Sequence, residues 1–92
     1  MSCILHVKIL GIRTPQRYSV HRQVIAAGNE IERENPGFSI DVQEISQMQD
    51  ILKYTQLLTW PVLIFHDKIV CAGRIPKKEE VKGWLQEWVD SL

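Results

Sequence analysis

The stretch ILGIRTPQRYS, residues 9–19, decides the fold. It reads as the end of an apolar strand, a glycine corner and the opening of a helix. Thr14 is a good N-cap, because its hydroxyl can accept an N–H that the first helical turn leaves unpaired. Pro15 suits the first helical position, where a missing N–H costs nothing. Upstream, CILHVKIL at residues 3–10 is rich in Ile, Leu and Val and is closed by Gly11, which predicts a buried strand. Downstream, Val20, Val24, Ala27 and Ile31 recur at helical spacing and form one apolar stripe. ENPG at 34–37 stops that helix, because Pro36 disfavours a helical Asn35 and Gly37 tolerates a turn.

Beyond the turn, Phe38, Ile40 and Val42 alternate with Ser39, Asp41 and Gln43, the pattern of a half-exposed strand. Ser46 is placed to cap a short second helix with Met48, Ile51, Leu52 and Tyr54 inward. PVLIF at 61–65 is a continuous apolar strand, HDK at 66–68 is a tight turn, and IVCAG at 69–73 completes an antiparallel hairpin. A last helix starts near Pro76, with Val81, Leu85, Trp88 and Leu92 as its inner stripe and Trp84 and Val89 on its margins. The order is β-α-β-α-β-β-α. The first two strands should be parallel, with a right-handed crossover between them. The expectation is a four-stranded mixed sheet. The first and last helices should cover one face and the second helix the other.

Composition narrows the function classes. Ninety-two residues make one domain, 1–92, large enough for a modest core. Eleven basic and eleven acidic residues cancel, so there is no surplus to neutralise phosphates and no polybasic membrane handle. No apolar run approaches the ~18 residues that span a bilayer. MSCILHVKIL lacks the long apolar core of a signal peptide, which makes the cytoplasm the expected location. Cys3 and Cys71 match neither a zinc spacing nor a disulfide framework. At ~3.3 Å per strand residue they should lie too far apart to bridge. His6, His21 and His66 are scattered and make no metal spacing, so neither a metal nor a cofactor is implied.

In order and spacing, VKILG at 7–11, TWPVLIF at 59–65 and IVCAGRIPKKEEV at 69–81 resemble the small thioredoxin- and glutaredoxin-like proteins of the redox-active-disulfide type. The resemblance covers nearly the whole chain and implies an α/β thioredoxin-like fold. It also implies a cis bond before Pro61 and a reactive C-x-x-C at the glycine corner. The four positions there read Thr14, Pro15, Gln16 and Arg17. By this likeness Thr14 stands for the nucleophilic cysteine and Arg17 for the resolving one. Dithiol exchange needs a thiolate to attack and a second sulfur to resolve the mixed disulfide. Threonine without an adjacent base is a poor nucleophile, and arginine is neither nucleophile nor base. The family's redox activity therefore does not carry over to this corner.

Each remaining feature has two readings. Thr14 is a helix cap or a ligand-contacting hydroxyl. Arg13, Arg17, His21 and Arg22 are a solvated face, or they join the helix N-terminus in an anion site. Trp60 fills space over the corner or walls a cleft. In the family, the backbone of the residue before the cis-proline pairs with substrate. Cys71 is a buried apolar residue or a lone reactive thiol. The leading expectation is a redox-inactive binding module that takes a peptide, protein partner or small anion at Arg13, Thr14, Arg17, Trp60 and Pro61. One-cysteine oxidoreductase activity through Cys71 is the alternative. A third is a structural subunit docking through Trp84 or an edge strand. Oligomeric state stays open.

Overall fold

The apolar run that opens the chain becomes strand β1 (Cys3–Leu10), which is paired along both sides. The computed structural model describes residues 3–54 and 60–92; Thr59, at the head of TWPVLIF, lies outside them. β1 runs parallel to β2 (Phe38–Ile45) and antiparallel to β3 (Val62–Phe65), and β4 (Lys68–Ala72) closes the hairpin with β3. The sheet is four-stranded and mixed, in the order β2-β1-β3-β4. Helix α1 (Thr14–Glu34) carries the chain from β1 to β2. A single turn, α2 (Met48–Ile51), leads towards β3, and α3 (Lys78–Asp90) ends the fold.

Strand alternation divides the core. Leu5, Val7 and Ile9 point to one face, where they meet Val20, Val24, Ala27 and Ile31 of α1 and Val81 and Leu85 of α3. Leu10, Ile45, Val62 and Ile64 point to the other face and are covered by Ile51 of α2. The first and last helices thus share a face and the short one takes the opposite side. Gly28 lets α1 lie close on β2. A Cβ there would stand 2.4 Å from Ile40 Cδ1, too near for two carbons.

Several local expectations need correction. Ser46 does not cap α2. β2 runs on to Ile45, and the turn is closed by the carbonyl of Gln47, which accepts the N–H groups of Asp50 and Ile51 at 2.9 Å each. A one-turn helix buries one position, Ile51, and leaves Met48, Leu52 and Tyr54 exposed. Leu92 lies past the end of α3 and is 69% exposed, so the inner stripe stops short of it. Cys3 and Cys71 are free. The strand register sets Cys71 level with Ile9, six strand residues from Cys3 and roughly 20 Å along the sheet.

α3 contains one weak point that can be repaired. Gly83 is exposed in mid-helix and nothing lies within 4 Å of an added Cβ. Gly83→Ala should stabilise the fold by ~1 kcal/mol through helix propensity alone. For a domain of this size that raises Tm by ~4–8 °C. Thermal unfolding followed by circular dichroism checks it, and a lowered Tm would refute this account of the helix.

Candidate functional site

Three segments converge at Pro61, at the end of the sheet where β1 stops. Gly11, just past β1, lies against it: a Cβ at Gly11 would be 3.8 Å from Pro61 Cα. Gly73, just past β4, donates its N–H to the Pro61 carbonyl at 2.9 Å. Gly73 has φ 80°, a conformation that glycine reaches without steric cost. The Trp60–Pro61 peptide is cis. α1 starts at this same end; Ile12, next to Gly11, and Ile75, two residues past Gly73, have 49% and 43% of their surfaces exposed.

The start of α1 differs from a simple threonine cap. Arg13 takes the N-cap position with extended backbone, and Thr14 and Pro15 are already helical. The reason is Arg17. Its Nη2 donates to Thr14 Oγ1 at 3.2 Å, so the hydroxyl serves a guanidinium instead of a backbone N–H. Nη1 donates to the Gly11 carbonyl at 2.8 Å and Nε to Glu44 Oε1 at 3.1 Å. The Arg17 side chain is only 12% exposed. The other oxygen of Glu44 accepts from His21 Nδ1 at 2.8 Å. One carboxylate on β2 thus ties two side chains of α1 to the sheet. The hydrogen bonds from His21 and Arg17, with their charges, hold the Glu44 carboxyl below the usual carboxylate range.

This arrangement of sheet, glycine corner and helix start matches a known family. The family model described as Thioredoxin domain covers residues 6–86. The chain belongs to the thioredoxin-domain family. A search of curated proteins gives no match.

In this thioredoxin domain the sequence-derived site residues separate. Thr14, Arg17 and Pro61 lie together at the corner, joined through Gly11. Arg13 is exposed beside them. Trp60 is half-buried and packs on the Leu10, Ile45, Ile51, Val62 and Ile64 cluster, which makes it part of the second core as well as a neighbour of the corner. Cys71 lies in the first core, 8% exposed, with Sγ 3.6 Å from the Arg74 carbonyl. Burial pushes its thiol pKa up, which favours the thiol over the nucleophilic thiolate. Glu44 escaped the sequence reading. Its signal was its register: it follows Ile40 and Val42 at the same two-residue spacing, which puts a carboxylate on the strand face towards α1.

A second ion pair guards the loop after β4. Arg74 donates to both oxygens of Glu80, at 2.9 and 2.7 Å. Glu80 Oε1 also accepts the Lys77 N–H at the start of α3 at 3.1 Å. Arg74 first, and that N–H second, pull the Glu80 pKa down to about 2 from 4.5. Glu44 and Glu80 are both more acidic folded than unfolded. Each adds stability above the unfolded value and loses it as the pH falls through the folded one. The urea midpoint should therefore decline from about pH 4.5 towards pH 2. Glu80→Gln should make the decline shallower, and an unchanged slope would remove this pair from the acid response.

Proposed function

We propose that this thioredoxin-domain protein is a redox-inactive binding module whose corner cleft takes an extended peptide. The carrying observation is the state of Arg17. It stands at the resolving position of the family motif, and its guanidinium already holds Gly11, Thr14 and Glu44. A free anion would have to compete with the Glu44 carboxylate for a charge that is neutralised. A peptide does not face that competition. The exposed Ile12 and Ile75, close in sequence to the Gly11 and Gly73 that meet Pro61, offer apolar contacts, and the backbone beside Pro61 offers strand-like hydrogen bonds. A small anion remains the second ligand class, resting on Arg13 and the start of α1. One-cysteine chemistry at Cys71 is disfavoured by burial and by the raised thiol pKa.

Insulin reduction with dithiothreitol as the electron source should stay at the uncatalysed rate. A catalysed rate abolished by Cys71→Ser would replace the binding module by a one-cysteine enzyme. For the ligand, amide resonances can be followed during titration with pooled random peptides and separately with inorganic phosphate. Peptides should shift Ile12, Trp60 and Ile75. A saturable phosphate shift confined to residues 13–17 would assign the cleft to anions instead.

A further inference from the structure

Strand β2 has one side paired with β1 and, among the described residues, none on the other. Cys3 N–H bonds the Gly37 carbonyl and Gly11 N–H bonds that of Ile45, which fixes the phase of the ladder. The backbone groups of Ser39, Asp41, Gln43 and Ile45 therefore face β1. Those of Phe38, Ile40, Val42 and Glu44 point outward, and the Phe38 N–H is taken by the Asn35 carbonyl at 3.0 Å. The Ile40 N–H is met by Glu32 Oε1 at 2.9 Å. Beside this edge runs a groove of about 520 Å³ between α1 and Glu44, lined by Tyr18, Arg22, Ile25, Ala26 and Asn29. Tyr18 is 62% exposed and Ile25 38%. An open strand edge next to exposed apolar side chains is a template for pairing with another chain.

We propose that this edge and the outer stripe of α1 form the interface of a twofold homodimer, with β2 antiparallel to β2 of a second copy. The occupant follows from self-complementarity, which a twofold interface requires. With the Phe38 N–H already closed by Asn35, Val42 is the middle one of the remaining outward positions, Ile40, Val42 and Glu44, so a twofold axis there pairs Val42 with Val42 of the second copy and Ile40 with its Glu44. The same axis must suit α1. His21 bonds Glu44 and Gly28 lies on Ile40. The helix position level with Val42 is midway between them, at Val24–Ile25. The axis thus brings the exposed Ile25 against Ile25 of the second copy. The two α1 helices then run antiparallel. Tyr18 and Arg22 already stack, with 5.8 Å from the guanidinium carbon to the ring; Tyr18 comes level with Glu32 of the second copy, and Arg22 with its Gly28 and Asn29, one helical turn from that Glu32. Arg33, next to Glu32 and beside the same edge, comes level with the Tyr18 ring, whose face accepts a guanidinium. Strand phase, apolar centre and charge order agree on one axis. Pairing also releases Glu32, because the Ile40 N–H gains the Glu44 carbonyl and the carboxylate can turn to Arg22 of the second copy.

Sedimentation equilibrium of the full chain over a micromolar to millimolar series tests this. The expected result is a monomer–dimer equilibrium ending at twice 10.7 kDa. Ile25→Lys sets two ammonium groups face to face at the axis and should raise the dimer Kd by about 30-fold or more. Ile25 is exposed, so the circular dichroism spectrum should not change. Arg22→Glu should also weaken the dimer, and Arg22→Glu with Glu32→Arg should recover it. Ile25→Cys in a Cys3→Ser, Cys71→Ala background should form a disulfide-linked dimer under mild oxidation. A monomer throughout the series, a dimer indifferent to Ile25→Lys, or no cross-link through Ile25→Cys would each overturn the proposal.

Discussion

Thr14→Cys with Arg17→Cys is expected to turn this protein into a thiol–disulfide oxidoreductase that reduces insulin. The two positions have the exposure that dithiol exchange needs. Thr14 is exposed in the first turn of α1, where a substrate disulfide can reach it. Arg17 is one turn on and its side chain is 12% exposed, folded against Gly11. A thiol at position 14 sees the unpaired N–H groups and positive end of α1, which favour the thiolate. Lowering a pKa from ~8.5 to ~6.5 raises the thiolate fraction at pH 7 from about 3% to about 75%. The rate of attack rises with that fraction, though less than in proportion. Removing Arg17 leaves Glu44 without its guanidinium, and the carboxylate, held then by His21, opposes a second thiolate. Adding Glu44→Gln should therefore quicken turnover further. Thr14→Cys alone should form mixed disulfides that do not resolve. If the double variant carries two ordinary thiols and leaves insulin soluble, Thr14 and Arg17 do not stand at the motif positions.

The fold was legible because its signals are local and mutually consistent. The apolar run before Gly11, the stripe from Val20 to Ile31 and the VLIF–KIVCA hairpin each carry their own periodicity, and their order leaves few topologies. Errors arose where a short element depends on its surroundings. α2 is one turn, too short for periodicity to show which of Met48, Leu52 and Tyr54 is covered. Leu92 continues the α3 spacing beyond the point where the helix ends. Thr14 had the chemistry of a cap, but a side chain three residues on claimed its oxygen. Nothing in Thr14-Pro15 announces that claim.

The site was less legible for the same reason. Arg17 was visible as a positive charge near a helix start. Its partner Glu44 lies 27 residues away and is brought to it by the parallel pairing of β1 with β2. A charge reads as available until the fold supplies its counter-ion. The consequence is functional, since of the ligand classes expected it favours the proposed peptide over an anion. Conversely, the cis bond before Pro61 was legible from the family resemblance and the burial of Cys71 from its place in an apolar strand, because backbone and packing depend less on distant partners than charge pairing does.

Leu85→Ala should be the most damaging single substitution of the last helix. Leu85 is fully buried between α3, α1 and the sheet. Truncating a buried leucine costs ~2–5 kcal/mol, because the cavity left behind adds to the lost transfer energy. The folded state of a domain this size holds only ~5–14 kcal/mol in total. α3 has thirteen residues, about the length at which an isolated helix is marginal in water. Its order therefore depends on docking. The pairs from Lys78 to Glu30 at 3.3 Å and from Lys82 to Glu34 at 3.4 Å also link α3 to α1. Partly exposed pairs of that kind contribute ~0–1 kcal/mol each and cannot replace the leucine. A loss near 3 kcal/mol lowers the urea midpoint on the order of 2 M, for m of ~1.5 kcal/mol/M. Gly83→Ala in the same chain should recover ~1 kcal/mol and no more, since it acts on the helix and not on the cavity. Cys71 supplies an independent readout, because it belongs to the same core as Leu85. Its thiol should react slowly with an aromatic disulfide reagent in the native protein and faster in Leu85→Ala, in step with the population of molecules in which α3 has lifted. A midpoint shift below 0.5 M with Cys71 still protected would mean that α3 is seated by contacts other than Leu85.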